Sequence, residues 1–469
     1  TFYVVADAHK IGDFSPYVYE SVDGGRTWRS IAGNLPKGTI VWSIQQDHVK
    51  PDLLFAGTEF GIWYTPNRGG NWFKLSGGVP TISFRDLKIH RRDGDLVGAS
   101  FGRGFYVLDD YSPLRDLVGA VAGEDGRLFP VRAAWWYVPS QLGQAPGRPE
   151  AGSDDFTAPN PPPGAILTYY LREAPTTARE RREANEKSLR DAGRDVPFPG
   201  FERLRAEAIE QGPRVLVRIA DATGRPVRWL SGPTTAGLHR VNWDLRGPAP
   251  DPIDLNPSGF RPPWASTPAG PLVAPGRYTA DLVIVSESGV RRLGQPQTFE
   301  VKPVPNLPPG TDPVAVAEFQ QSTAELMRKA ASVEAEIGRA RERLRYLRAA
   351  LLEAPRGDPA LFARMDSVTR ALAAQDLRLR GDPARQRLDE SPTQSVMGRI
   401  GEVIGGHWET RQMPTATQRR EIDRATTELQ DIAREIIRVV EGDLARIEAA
   451  LEAAGAPWTP GRRVPPPPR

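Results

Sequence analysis

Two carboxylates in the first hundred residues could carry acid–base chemistry together. Glu59 follows the strand-like stretch "DLLFAGT", and Asp86 lies within "SFRDLKIH". Enzymes that hydrolyse glycosidic bonds use two such groups, one as acid and one as base or nucleophile, about 5–9.5 Å apart. Glu59 and Asp86 are therefore the candidate catalytic pair, and the alternative is that each carboxylate forms only a loop ion pair or a turn hydrogen bond.

Cationic and aromatic side chains accompany this pair. Arg85 and Arg103 could bind a carboxylate of a substrate through two parallel hydrogen bonds. Trp42 stands near the start of a predicted strand, and Asp7 and His9 occupy the matching place in an earlier repeat. We therefore predict Arg85, Arg103 and Trp42 as substrate-binding residues.

A repeat predicts the elements that position these residues. The stretch "SVDGGRTW" (21–28) returns as "TPNRGGNW" (65–72), 44 residues later. Each copy follows short stretches of alternating apolar residues, such as "TIVWSIQQD", "DLLFAGT", "GIWYT" and "NWFKL". A period of about 40–45 residues built from short strands is typical of β-propeller blades. Within a blade, the loops joining strands two and three share a face with the loops entering each first strand, which places the candidate site there.

The repeated stretch has the chemistry of a turn. Asp and Ser side chains can bond nearby backbone N–H groups, glycine adopts positive φ freely, and tryptophan covers the hairpin. We predict a structural role, with a calcium or ligand loop as the alternative. The residues concerned are Ser21, Asp23, Gly25, Thr27 and Trp28, with Asn67, Gly69 and Trp72 in the second, degenerate copy.

These residues resemble the Asp-box, or BNR repeat, and "GDLVGASFGRGFYVLDDYSPLRDL" (94–117) is similar to the last blade of the sortilin-type, glycosyl hydrolase-like bacterial Asp-box propellers. The resemblance implies a secreted or periplasmic protein. It leaves two functions open, glycosidic hydrolysis and non-catalytic binding of peptides or proteins. We expect residues 1–117 to be the last blades of such a propeller and the chain to be a fragment or a processed chain.

A different pattern follows the repeats. Residues 118–164 are rich in proline and predict an irregular linker, in which Trp135 and Trp136 dock the tail against the propeller or form an aromatic sugar platform. Residues 165–305 alternate apolar and polar residues between Gly/Pro turns, which predicts an Ig-like β-sandwich with a helical insertion at about 172–212.

The last part predicts helices. Between 311 and 454, apolar residues recur at spacings of three and four, which predicts a helical bundle or coiled coil. A self-contained bundle and a partner-binding or self-associating coiled coil both fit this pattern. Residues 455–469 end in "PPPPR" and predict a disordered tail.

Composition excludes several classes of site. The chain has 61 basic and 58 acidic residues without a basic run, which gives no basis for nucleic-acid binding. It has no cysteine and five scattered histidines, so we predict no metal site and no cofactor. No apolar run reaches the length of a membrane span. The ligand that the resemblance to Asp-box propellers implies is a carbohydrate or a peptide.

Overall fold

The computed structural model describes residues 1–118, 123–139, 158, 160–255, 268–391 and 394–464. Antiparallel sheets occupy the first part, two sheets around one core follow, and helices form the C-terminal part. The chain is therefore a multidomain protein in which β-structure precedes a helical region.

The first ten strands form three consecutive antiparallel sheets. The sheet orders are β1–β2–β3, β4–β5–β6–β7 and β10–β9–β8, so each sheet connects neighbours in sequence through hairpins. The strands are β1 Phe2–Ala8, β2 Asp13–Ser21, β3 Arg29–Ser30, β4 Val41–Gln46, β5 Leu54–Thr58, β6 Gly61–Thr65, β7 Phe73–Lys74, β8 Phe84–His90, β9 Asp95–Ser100 and β10 Phe105–Leu108.

These sheets pack on one another through apolar side chains. Ile62 of the second sheet and Phe84, Leu87 and Leu96 of the third belong to one buried cluster. Val18 of the first sheet and Trp72 share another cluster. The described residues contain three such sheets and no closed ring of sheets.

Two further sheets enclose the core of the middle region. One has the order β11–β13–β16 and the other β12–β18–β17–β14–β15, in which β12 and β18 run parallel. The core lies between them and includes Trp136, Leu167, Val217 and Trp243. The strands are β11 Gly126–Leu128, β12 Ala134–Trp136, β13 Ala165–Leu171, β14 Arg214–Ala220, β15 Pro226–Gly232, β16 Gly237–Trp243, β17 Gly276–Ser286 and β18 Gly289–Pro303.

Two short helices separate β13 from β14. They are α1 Ala178–Asp191 and α2 Phe201–Ile209. Thr177 and Glu180 form a reciprocal capping box at the start of α1, which satisfies backbone N–H groups that the helix leaves without a partner. No residue of α1 is buried, as its lack of an apolar stripe predicts.

The C-terminal helices share one apolar core. The predicted seam is confirmed along the longest helix, because Ile337, Leu344 and Leu347 are buried in this core. The elements are α3 Pro313–Leu352, α4 Ala360–Arg380, α5 Pro383–Arg387, α6 Val396–His407, α7 Ala416–Ile437, a π-helical segment Arg438–Leu444 and α8 Ala445–Ala453. No described helix is long and apolar enough to cross a membrane.

The three parts contact one another. Val316, in the first turn of α3, lies in the core of the two-sheet region. Asp312 caps this helix by accepting hydrogen bonds from the backbone of Val314 and Ala315. Arg240 of β16 donates hydrogen bonds to the carbonyls of Asp109 and Asp110 at the end of the third sheet.

The segment after α8 packs on the helices up to residue 464. Arg462 is buried, donates to the carbonyl of Pro457 and pairs with Glu452. The tail was predicted to be disordered from its proline content, but contacts of Arg462 hold residues 455–464 against the helices. Residues 465–469 lie outside the described part.

His407 should make the helical region sensitive to acid. It is buried against Phe319, its side chain contacts Gln320 and the carbonyl of Gln412, and burial lowers its pKa, with a further contribution from the Arg419 charge. A depressed pKa means that the neutral imidazole stabilises the fold above about pH 6.5 and that this stability is lost as the pH falls below that value.

We therefore expect thermal unfolding of the helices, followed by circular dichroism at 222 nm, to shift to lower temperature between pH 7 and pH 5. The His407→Gln variant should flatten this dependence, whereas His239→Gln, in the two-sheet region, should leave it intact. An unchanged slope in His407→Gln would assign the acid sensitivity to other groups.

Candidate functional site

The candidate residues lie at one end of the first three sheets. The hairpin between β5 and β6 bonds to the segments entering β4 and β8, since Glu59 N–H donates to the carbonyl of Ile40 and Gly61 N–H to that of Ile82. In the third sheet, Phe101 N–H donates to the carbonyl of Ser83 in the same way. The predicted sharing of one face by these two kinds of loop is therefore present.

Two equivalent β-bulges aim side chains toward this end. The pairing of β4 with β5 skips Trp42, between the pairs Val41–Thr58 and Ser43–Gly57. The pairing of β8 with β9 likewise skips Arg85, between the pairs Phe84–Ser100 and Asp86–Ala99. A bulged residue leaves the ladder, which lets its side chain point away from the regular alternation, and such bulges are common beside functional sites.

Trp42, Glu59 and Arg85 form one contact cluster, which we call the bulge cluster. The Trp42 indole N–H donates to Glu59 Oε2 at 2.8 Å, and an Arg85 Nη lies 3.8 Å from the same oxygen. The Arg85 guanidinium stacks on the Trp42 ring, 3.6 Å from its centroid, and lies 5.2 Å from the Phe101 ring. Stacking fixes the guanidinium plane and leaves its N–H groups at the edge, where a ligand can reach them.

The end of the first sheet adds a second acid to this neighbourhood. His9 meets the Trp42 ring edge-on, with ring centroids 5.6 Å apart, and its Nδ1 contacts the carboxylate of Asp7. The Glu59 carboxylate thus contacts the Trp42 indole directly, and the Asp7 carboxylate contacts His9, which packs on the same indole. The site combines acceptors from Asp7 and Glu59 with donors from Arg85.

The predicted catalytic pair is not joined by a direct contact. Asp86 Oδ1 accepts from the backbone N–H of Leu87 and lies 3.4 Å from the Lys88 ammonium. Within the part of the chain that the structure describes, it has no hydrogen bond or ion pair with Glu59. Arg103 is exposed in the loop between β9 and β10 and likewise makes no ion pair with any described residue.

The first repeated turn is held by its own side chains. Ser21 Oγ accepts from Gly25 N–H and donates to Asp23 Oδ1, which also accepts from the backbone of Thr27. The Thr27 hydroxyl donates to Asp23 Oδ2 at 2.6 Å. These bonds, that of the Thr27 hydroxyl above all, hold the pKa of Asp23 well below its ordinary value. Both oxygens of the Asp23 carboxylate therefore accept hydrogen bonds from residues of the turn itself, which agrees with a structural role.

The second turn repeats this pattern with neutral side chains. Asn67 Oδ1 accepts from the Thr65 hydroxyl and from Asn71 N–H, and Gly69 N–H donates to Thr65 Oγ1. Gly69 has φ 86°, and a Cβ there would meet the carbonyl oxygen of Ile31 at 2.5 Å, so only glycine fits. The turn is built for close packing on the preceding sheet.

The two repeated tryptophans have different surroundings. Trp72 is 1% exposed and its indole donates to the carbonyl of Ile31 in the segment that follows the first sheet. Trp28 is 44% exposed and donates to the carbonyl of Gly25 in its own turn. The turns are equivalent, but only the second rests on another sheet within the described residues.

Among the residues that the structure describes, one group of side chains has the spacing of metal ligands. His90, Asp93 and Asp95 bring potential ligand atoms within 4.8 Å of one another, at the hairpin between β8 and β9. Arg92 pairs with Asp93 and Arg132 with Asp95, so the two carboxylates already have cationic partners. The group is accounted for as an ion-pair network.

Comparison with known proteins adds little to this geometry. No family model and no curated protein matches the chain. Among solved structures, it is similar to the extracellular domain of a putative one component system of B. thetaiotaomicron, at 13% identity over 61% of this chain and 28% of that chain, with a TM-score of 0.16.

The chain is also similar to the extracellular domain of a putative hybrid two component system of B. thetaiotaomicron, at 11% identity over 64% of this chain and 30% of that chain, with a TM-score of 0.16. The chain thus spans less than a third of the length of these structures. Likenesses at this level do not bear on the fold or on the activity.

Proposed function

We propose that the three N-terminal sheets are blades of an Asp-box β-propeller, that the protein is secreted or periplasmic, and that the bulge cluster binds a carbohydrate or peptide ligand without cleaving it. The two-sheet region, as an Ig-like module, and the helices would be accessory domains. The observation that carries the proposal is the pair of equivalent bulges that bring Trp42 and Arg85 together over Glu59.

The chemistry of the cluster suits recognition by hydrogen bonds. Arg85 donates no hydrogen bond to any described residue, so its N–H groups are available to sugar hydroxyls or to a peptide carbonyl or carboxylate. Both contacts of Glu59 engage Oε2, which leaves Oε1 as an acceptor for a ligand. An apolar ring flanked by a few oriented polar groups is the usual composition of a ligand site.

Hydrolysis of glycosidic bonds is the second candidate, and Asp7 is the observation that favours it. Retaining and inverting glycosidases both need two carboxylates facing one bond. Asp86 is engaged with Lys88, but Asp7 approaches the same indole as Glu59 through His9. If the protein is an enzyme, the pair to test is therefore Glu59 with Asp7, beside the pair Glu59 with Asp86.

A binding and cleavage screen separates the two candidates. Xylohexaose, chitohexaose and a peptide array are offered to the full chain, with binding measured by surface plasmon resonance and products by mass spectrometry. The proposal expects at least one probe to bind and to be recovered intact. If shorter oligosaccharides are released by the unsubstituted chain and not by Glu59→Gln, the function is hydrolysis and the proposal of binding without cleavage is wrong.

Arg85→Ala should weaken binding of that probe about tenfold or more, because a charge-assisted hydrogen bond contributes about 1.5–3 kcal/mol. The matched control is Lys88→Ala on the same strand, since Lys88 is exposed and pairs with Asp86 outside the cluster. Equal affinities of Arg85→Ala and the unsubstituted chain for the bound probe would contradict the proposal.

A further inference from the structure

A second candidate ligand site lies away from the bulge cluster, where the third sheet meets the two-sheet region. A groove of about 690 Å³ is lined by the hairpin between β8 and β9, by strand β12 and the residues after it, and by residues 160–164. Its lining includes the aromatic residues Trp135 and Tyr137 and the consecutive prolines from 161 to 163.

The two neighbouring tryptophans of β12, Trp135 and Trp136, differ in exposure. Trp136 is fully buried in the core, whereas Trp135 is 49% exposed and lines the groove. Tyr137, the next aromatic residue, is also exposed and lines the same groove. Because β12 is an edge strand of its sheet, nothing else in that sheet covers this side of it.

The polar lining is cationic. Arg92, Arg132 and Lys302 line the groove together with one carboxylate, that of Asp93. Arg132 is held in place by the carbonyl of Asp93 and by the carboxylate of Asp95, so its remaining N–H groups have a fixed direction. Lys302 is exposed and lies 3.4 Å from Glu300.

We propose that this groove binds an acidic oligosaccharide, with a sugar ring stacked on Trp135 and a uronate carboxylate held by the cationic side chains. Aromatic rings offer the apolar faces of pyranose rings a large rigid surface, and guanidinium groups bind carboxylates with two oriented hydrogen bonds. A proline-rich peptide could also stack on the two aromatic rings, but its side chains carry no anionic group for Arg92, Arg132 and Lys302 to bind.

The test is isothermal titration calorimetry of the full chain with three probes, hexagalacturonate, cellohexaose and decaproline. We expect hexagalacturonate to bind, Trp135→Ala to weaken its binding about tenfold or more, and Lys302→Ala to weaken it less and to reduce its salt dependence. Cellohexaose, of the same length but neutral, should bind more weakly than hexagalacturonate.

The matched control is Trp229→Ala. Trp229 is also 49% exposed and lies on β15, the opposite edge strand of the same sheet, so its loss should leave affinity unchanged. Arg85→Ala should also leave this binding unchanged, which separates it from the bulge cluster. Absence of hexagalacturonate binding, equal affinity of Trp135→Ala, tighter binding of cellohexaose, or binding of decaproline alone would each overturn the inference.

Discussion

Trp72→Ala is expected to lower the free energy of unfolding of the second sheet by about 3–5 kcal/mol, the range for truncating a large buried aromatic side chain. The indole is buried between the first and second sheets, where Val18 and Ile31 belong to the same apolar cluster. Its N–H donates to the carbonyl of Ile31, so the substitution leaves a cavity and an unpaired carbonyl.

The measurement is hydrogen exchange followed by mass spectrometry, because exchange reports the opening free energy of each segment in a multidomain chain. Peptides covering residues 39–75 should lose protection, and those of the helices should not. Trp28→Ala is the matched control, with an expected loss of about 1 kcal/mol or less for an exposed side chain. Equal losses in the two variants would show that the two turns have the same surroundings, against the structure.

Asp47→Ala should have a comparable effect through charge. The carboxylate is buried at the hairpin between β4 and β5 and accepts hydrogen bonds from Arg115 at 2.8 and 2.9 Å and from the Tyr111 hydroxyl at 2.5 Å. Removing one member of a buried ion pair leaves the other charge without compensation, at a cost of about 3–5 kcal/mol. The residues that follow β10 would thereby detach from the second sheet.

The control lies on the same hairpin. Asp52 is exposed, and its carboxylate lies 4.0 Å from the Arg68 guanidinium, at the outer limit of an ion pair. Exposed ion pairs contribute little, so Asp52→Ala should change the unfolding free energy by less than about 1 kcal/mol. Both variants are compared by thermal denaturation and by exchange of peptides covering residues 105–118. Protection of those peptides in Asp47→Ala equal to that in Asp52→Ala would contradict the role assigned to the buried pair.

Acid should act on the same contact. Burial alone would raise the pKa of Asp47, but the hydrogen bonds from Arg115 and Tyr111 outweigh it and hold the pKa below its ordinary value. A depressed carboxyl pKa contributes stability above about pH 4 that is lost as the pH falls further. The stability that Asp47 contributes is therefore lost below about pH 4, whereas the stability that the neutral His407 contributes is lost from about pH 6.5 downward.

The sequence predicts the local elements well because their signals are local. The repeated turn follows from the short-range bonds of Asp23 and Thr27, and the helical seam follows from the spacing of Ile337, Leu344 and Leu347, which are buried as predicted. The π-helical segment Arg438–Leu444 was not predicted, because its apolar residues also fit an ordinary helix.

The site could be predicted only in part. Trp42, Glu59 and Arg85 were each predicted to contribute, but the stacking of Arg85 on Trp42 depends on two bulges that the residue pattern does not reveal. Phe101 was missed as a site residue, although its place at the end of a hairpin matches that of Glu59. The exposure of Trp28 depends on which sheet lies beside it, which is a long-range property.

The most direct test of the bulge cluster is an NMR spectrum of the tryptophan indole groups in the 15N-labelled chain, which has 11 tryptophans. The Trp42 signal is assigned by its loss in Trp42→Phe and followed as the probe bound in the oligosaccharide and peptide screen is added. We expect the Trp42 indole to shift with the binding isotherm while the Trp28 indole stays in place. A probe that binds at saturation and leaves the Trp42 indole unmoved would contradict the assignment of ligand binding to this cluster.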